Sequence, residues 1–274
     1  MDQVDFTSRV GNAAFRAMSG LASRARQPVR AWFDVCAAWN MQRVSPLSRY
    51  IVCDLSQADA VARRKTPSQL AHRLTVVVVT YRQPQPLLCL LMSLSCQTCR
   101  NFDIIVLHDG PDPATRDAVA TFRAIDEAMP IQYVESAVRH NDWGHSLRQI
   151  GIDMASGDHV LITNGDNYYA PRLVEYAFDA IERHELDVAL WDMVHSHPNA
   201  GGMKLHAYSP FVTYPLRRRL DIGAFMVNAS LAKAAGFKDR SHDADASYFE
   251  DVLRARPGAP LNVGKIHRTL MTHN

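Results

Sequence analysis

The run Leu74–Thr80, LTVVVVT, constrains the fold more than any other stretch of this chain. It is apolar and β-branched without alternation. That pattern suits a strand covered on both faces, as in parallel sheets flanked by helices. The pattern recurs downstream. Residues 101–107, 131–134, 159–163 and 187–191 read as short buried strands, and 87–96, 114–128, 146–154 and 171–184 read as helices between them. Strand–helix alternation with short connections predicts an α/β fold with a Rossmann-like, mostly parallel sheet and helices on both faces. Ligands of such sheets bind beyond the carboxyl ends of the strands. Polar residues gather there: Thr80-Tyr81-Arg82, His108-Asp109-Gly110 and Asn164-Gly165-Asp166-Asn167. No GxGxxG follows the first strand and no Walker loop occurs, which disfavours a dinucleotide-dependent dehydrogenase and a P-loop enzyme. Phosphates then need another holder, and a divalent cation at Asp166 is the candidate.

The flanks are less regular. Phe6, Val10, Ala14, Met18 and Leu21 recur at helical spacing over 6–27. After Pro28 a second amphipathic piece carries Trp32, Val35, Cys36 and Trp39, and 56–69 reads as a polar linker or short helix. Beyond 195 the pattern loosens: a loop over 195–205, a strand at 221–227, a short helix at 230–235, a helix around Tyr248–Leu253, and a tail with His267 and His273. Residues 1–73 hold eleven Arg or Lys and five Asp, so they carry +6 and the remainder, for a total of +2, carries −4. A mildly acidic body argues against nucleic acid as its partner. The basic leader makes residues 1–45 a candidate for peripheral membrane contact or homo-oligomer formation. Five cysteines, no run of about 18 apolar residues and no signal sequence at Met1–Asp5 predict a cytoplasmic protein, with the inner membrane surface as the alternative. Cys96-Gln-Thr-Cys99 ends an apolar helix and reads as ordinary small buried residues.

In order and spacing, the segments from Leu74 onward resemble the GT-A fold glycosyltransferases of family 2. VVVVTYR (76–82) is similar to the family's opening strand, and Ser93 to Gln97-Thr98 to its S-x-x-x-Q-T. IIVLHDG (104–110) is similar to I-x-V-V-D-D-G-S, and GHSLRQIGIDMASG (144–157) to G-x-x-x-A-R-N-x-G-I-x-x-A-x-G. NGDN (164–167) stands where the family has D-x-D-D, and Phe249-Glu250-Asp251 where its acceptor half has E-D. The resemblance implies a helical extension and linker over 1–72 and a GT-A domain over 73–274, with a nucleotide-sugar half (73–190) and an acceptor half (191–274).

It also implies an inverting, metal-dependent transfer from a nucleotide sugar, UDP-linked in many members, to a glycan or lipid-linked acceptor of a bacterial surface polysaccharide. Asp166 would bind Mn2+ or Mg2+, with Asn164 and Asn167 where the family has carboxylates and His273 or His267 as a further ligand. Asp109 would bind the nucleobase in a pocket lined by Thr80, Tyr81 and Arg82, with Arg148 and Gly165 near the nucleotide. Asp251 would be the general base, with Glu250 beside it and Asp243 or Asp245 as fallbacks. Residues 140–143 and Trp191-Asp192 would border sugar or acceptor, and Arg217-Arg218-Arg219 could meet an acceptor phosphate. The alternative is a degenerate, non-catalytic GT-A domain that binds a nucleotide or a partner glycosyltransferase, suggested by the amides at 164 and 167. A nucleotidyltransferase fits less well, because TYRQPQP stands where a Gly-rich, Lys-containing loop would be.

Overall fold

The structure, a computed structural model, describes residues 26–55 and 72–274. The expected helix over 6–27, apart from its last two residues, and the expected linker over 56–69 lie outside the described residues. In chain order the elements are α1 (Arg26–Val44), β1 (Arg49–Val52), β2 (Leu74–Thr80), α2 (Pro84–Ser95), β3 (Phe102–His108), α3 (Pro113–Ile125), β4 (Ile131–Glu135), α4 (His145–Met154), β5 (His159–Asn164), β6 (Tyr168–Tyr169), α5 (Leu173–His184), β7 (Val188–His195), β8 (Ser209–Phe211), β9 (Phe225–Asn228), α6 (Ala229–Ala235), α7 (Ala244–Arg254) and β10 (Asn262–His273).

Every residue of β2 is buried. Its side chains alternate between two cores. Val76 and Val78 join Leu87, Leu90 and Leu94 of α2 and Phe122 of α3 on one face. Val77 and Val79 join Leu147 and Ile152 of α4 and Phe249 and Val252 of α7 on the other. A buried valine is worth about 1.5–3 kcal/mol, so the strand cannot leave the middle of the sandwich without losing both layers. The sheet order is β1-β10-β7-β9-β5-β2-β3-β4. The pairs β5–β2, β2–β3 and β3–β4 are parallel, as are β7–β10 and β10–β1, while β9 runs antiparallel between β5 and β7. Two reversals restore direction, so Thr80, His108, Asn164, His195 and His273 all end their strands along one edge of the sheet.

One expectation changes, and two features are added. The segment 221–227 is not one strand: Ile222–Ala224 forms a 3-10 turn, and β9 begins only at Phe225. The tail is a twelve-residue strand, β10, paired with β7 through two irregularities between Ile266 and Met271. It carries Lys265 and His267 inward, each in an ion pair, with Asp192 and Asp34. Residues before 73 also pack on those after it. Strand β1 pairs with β10 from Arg49–Asn262 to Val52–Lys265, and Phe33 of α1 stacks on Tyr214 at 5.6 Å.

Candidate active site

The strand ends build the site from one side. At the end of β2, the Arg82 backbone N–H donates to His108 Nε2 at 2.9 Å, and His108 Nδ1 meets the Gly110 carbonyl at 2.5 Å. His108 is therefore an internal brace, standing where the family pattern has its first aspartate. Tyr81 stacks on His108 and lies under two guanidinium groups, Arg139 at 4.1 Å and Arg82 at 5.3 Å. Arg139 had no sequence signal beyond its place just before the glycine motif. Thr80 Oγ1 is buried without a hydrogen-bond partner among the described residues. Opposite it, a Cβ on Gly165 would lie 2.6 Å from that hydroxyl, so only glycine lets β5 pass this close to β2.

Asp109 ends the neighbouring strand turn. It is only 6 % exposed, and its two oxygens accept from the backbone N–H groups of His140 (2.7 Å) and Asn141 (3.0 Å). Its carboxylate shapes the loop before α4. That loop carries Asn141 and Trp143 at positive φ and presents Trp143 with 75 % of its surface exposed. Such strain persists only where surroundings enforce it. Here the Asp109 carboxylate and Gly144, whose φ is +81° and whose Cα faces Val79, do so.

The NGDN turn divides its four residues. Asn167 is fully buried, donates to Thr163 Oγ1 at 3.1 Å and accepts from the Asn274 backbone at 3.4 Å, so it does not reach a metal position. Asn164 Oδ1 accepts from Arg148 Nη2 at 3.0 Å, and a guanidinium stands where a cation would have to be. Asp166 is half-buried, and burial lifts its carboxyl above the usual value, with His273 opposing and Asp221 adding to the rise. His273 Nε2 lies 3.4 Å from Asp221 Oδ2, and its ring stacks on His195 at 4.2 Å. Asp221, read in sequence only as the start of a strand, thus belongs to the site. It caps the 3-10 turn by accepting from Gly223 N–H at 2.8 Å. The other tail histidine, His267, is bound by Asp34 at 3.1 Å and is no metal ligand. Among the described residues no group of three acidic, histidine or cysteine side chains forms a ready metal cage. The donors present, Asp166 with His273 and Asp221 behind, fit a hard cation that takes most of its oxygens from a diphosphate.

The acceptor half meets this corner through Arg148. Its guanidinium is 4 % exposed and holds Asn164 with one nitrogen, while the other contacts Asp245 Oδ1 at 3.2 Å and His145 Nδ1 at 2.9 Å. It also lies over the Phe237 ring at 5.1 Å, and its Nε has no partner among the described residues. Asp245, in the first turn of α7, accepts from Ile222 N–H at 3.1 Å with its second oxygen. Burial pushes its carboxyl up to about 6; Arg148 opposes the rise and Asp221 adds to it. Glu250 and Asp251 are not brought to this corner. Glu250 pairs with Arg217 at 2.9 Å and Arg254 at 3.4 Å, and Asp251 pairs with Arg254 at 3.5 Å. The fallback Asp243 lies instead 3.9 Å from the exposed His242. Trp191 and Asp192 do not border a ligand: both are buried in β7, where Asp192 binds Lys265 at 2.5 Å. Of the arginine triplet, Arg217 is taken by Glu250 and Arg219 is buried.

A family model described as Glycosyl transferase family 2 matches residues 75–233. The chain belongs to that family. "Uncharacterized glycosyltransferase YwdF" of Bacillus subtilis is 27 % identical over 110 residues, 40 % of this chain and 38 % of that protein. "Amylovoran biosynthesis glycosyltransferase AmsB" of Erwinia amylovora is 28 % identical over 111 residues, 40 % and 36 % of the two chains. This chain therefore covers well under half the length of these relatives. Among solved structures, S. aureus TarS 1-349 superposes with a TM-score of 0.59 at 18 % identity, over 74 % of this chain and 60 % of that one. Mannosyltransferase PcManGT from Pyrobaculum calidifontis, solved with GDP-Man and Mn2+, superposes with a TM-score of 0.58 at 14 % identity, over 97 % and 68 %. The fold is GT-A. Asp245, Glu250, Asp251 and His273 lie beyond the residues that the family model matches, so their roles rest on this structure's geometry.

Proposed function

We propose that this chain transfers a sugar, with inversion, from a nucleotide-diphosphate sugar to a glycan or lipid-linked acceptor in bacterial surface polysaccharide synthesis, at the cytoplasmic side of the cell. The observation that carries the reading is the Asn164–Arg148–Asp245 link, which sets a partly buried carboxyl of raised pKa against the Asp166 corner. UDP is the proposed nucleotide. TarS has been solved with UDP and UDP-GlcNAc, and AmsB is named for amylovoran biosynthesis. Thr80, Tyr81, Arg82 and Arg139 cluster at the end of β2 and would form the wall of the nucleotide pocket.

In the proposed reaction Asp245 takes the proton from the acceptor hydroxyl as its oxygen attacks the anomeric carbon. The carbon–oxygen bond to the diphosphate breaks, and its electron pair leaves on the nucleoside diphosphate. A carboxyl near pH 6 suits this task, since a base works best with a pKa close to the operating pH. Asp245 replaces Asp251 as the proposed base. Asp166 and His273 would hold a divalent cation, Mn2+ being the one bound in PcManGT, and such a cation supplies charge neutralisation for the leaving diphosphate.

A second reading is a nucleotide-binding domain without transferase activity. It is favoured by the commitment of Asn164 and Asn167 to internal bonds. Thermal shift and turnover together separate the two. With UDP at about a hundredfold excess over its Kd and Mn2+ present, stabilisation of about 3 kcal/mol is expected, and it should vanish in Asp166→Ala. Donor-sugar hydrolysis or transfer lost in Asp245→Asn, with the UDP shift intact, supports the enzyme. A UDP shift without any turnover supports the binding domain. No shift with any nucleoside diphosphate overturns both.

A further inference from the structure

Helix α1 has two apolar faces, and the interior uses one of them. Phe33, Ala37 and Met41 are buried. Asp34 is bound by His267 at 3.1 Å and by the Tyr50 hydroxyl at 3.0 Å, and Asn40 donates to the Pro215 carbonyl at 3.4 Å. These polar anchors set the helix's rotation, so the opposite face cannot turn inward without breaking an ion pair that is mostly out of water. On that opposite face Trp32, Val35 and Trp39 follow at i, i+3 and i+7, with 40 %, 67 % and 53 % of their surface exposed. Leu47, just past the helix, is 51 % exposed, and the Arg43 guanidinium lies 5.1 Å from the Trp39 ring centre. The segment that carries this stripe is net basic, and Arg43 is the arginine placed on the stripe itself. Residues 26–49 contain Arg26, Arg30, Arg43 and Arg49 and a single acid, Asp34, whose carboxylate is turned inward.

We propose that this face seats on an anionic phospholipid surface. Indoles prefer the headgroup level of a bilayer, and arginines keep their apolar stems down while reaching lipid phosphates. A second copy of the chain fits the face less well. A twofold contact would bring this net-basic segment against its own copy, like charge facing like charge. Because α1 packs on Tyr214 and His267, this seating turns the acceptor half toward the bilayer. The inference stands independently of the proposed reaction.

Full-length protein is sedimented with vesicles of phosphatidylcholine containing about 30 mol % phosphatidylglycerol, and with pure phosphatidylcholine vesicles. Partition onto the anionic vesicles should be at least about tenfold stronger, since each arginine near the surface contributes roughly fivefold. It should weaken in high salt. Trp32→Ser/Trp39→Ser should reduce it at least about tenfold while leaving the melting temperature and the UDP thermal shift unchanged. Absence of partition overturns the proposal, as does equal partition onto both vesicles. Unchanged partition of a folded double variant also overturns it, because another part of the chain would then be the anchor. A concentration-dependent dimer that the double variant abolishes, without vesicle binding, reassigns the face to a protein contact.

Discussion

Asp245→Asn should make the protein more stable and inactive at the same time. The carboxyl stands at about 6 in the folded chain against 3.8 unperturbed, so the ionised form is disfavoured by roughly two pKa units, or about 3 kcal/mol at pH 7. Asparagine is uncharged and escapes that cost; its one oxygen can accept from Arg148 or from the Ile222 N–H but not from both, which takes back about 1 kcal/mol. The sign follows from the raised pKa. The wild-type stability linked to this group is full below about pH 4 and is lost as pH rises through about 6. The variant should therefore melt several degrees higher at pH 7, on the order of 2–4 °C per kcal/mol, and slightly below the wild type near pH 4. Transfer should fall by about 10²–10⁴, the usual share of a general base. The assay is calorimetry across pH 4–8 beside turnover of a UDP-sugar. A drop in melting temperature of equal size at both pH values would show that the ionised carboxylate stabilises the fold. Activity within threefold of wild type would remove Asp245 from the chemistry.

Three further outcomes test neighbouring contacts. Arg148→Lys cannot hold Asn164 and Asp245 together, so the Asp245 carboxyl should rise further and the acid limb of the pH–rate profile should move above about 6. Gly165→Ala puts a methyl 2.6 Å from Thr80 Oγ1, which should cost about 1–3 kcal/mol by denaturant titration and weaken the UDP shift. Lys265→Met strips the fully buried partner from Asp192 and should cost about 3–5 kcal/mol by urea unfolding, whereas Lys265→Met/Asp192→Leu should recover most of it.

The donor half was legible because its information is local. Each strand from Leu74 to Val134 is a short apolar run, each connection is short, and the polar residues at the strand ends face the ligand edge by topology alone. The acceptor half is built from distant pairs. His267 binds Asp34 across 233 residues, and Arg148 meets Asp245 across 97. Asp192 and His267 read as ligand groups because sequence does not show a buried charge's partner. Asn164 and Asn167 looked like weakened metal ligands for the same reason. Their amides are spent on Arg148 and Thr163, which no motif announces. The tryptophans of α1 were visible as a stripe, but only the structure separates them from Phe33 and Met41 on the inner face.

The base shows the same limit of motif reading, and a second variant decides it. Glu250-Asp251 matches the family's acidic pair by composition, yet helical geometry removes it from the site. At 100° per residue, Glu250 and Asp251 sit about 140° and 120° around α7 from Asp245, on opposite sides. Asp245 points to Arg148 and the 3-10 turn, while Glu250 and Asp251 meet Arg217 and Arg254. Bringing Asp251 to the sugar would need a rotation of about a third of a turn. That would carry Phe249 and Val252, both buried against the sheet, into water. Two such side chains cost about 3–6 kcal/mol to expose, more than a carboxylate gains from any single contact at a wet edge. Asp251→Asn should therefore lose only a partly exposed pair with Arg254, worth about 0–1 kcal/mol, and keep kcat within threefold. A loss of a hundredfold or more in Asp251→Asn, with Asp245→Asn active, would mean that α7 repacks when the acceptor binds.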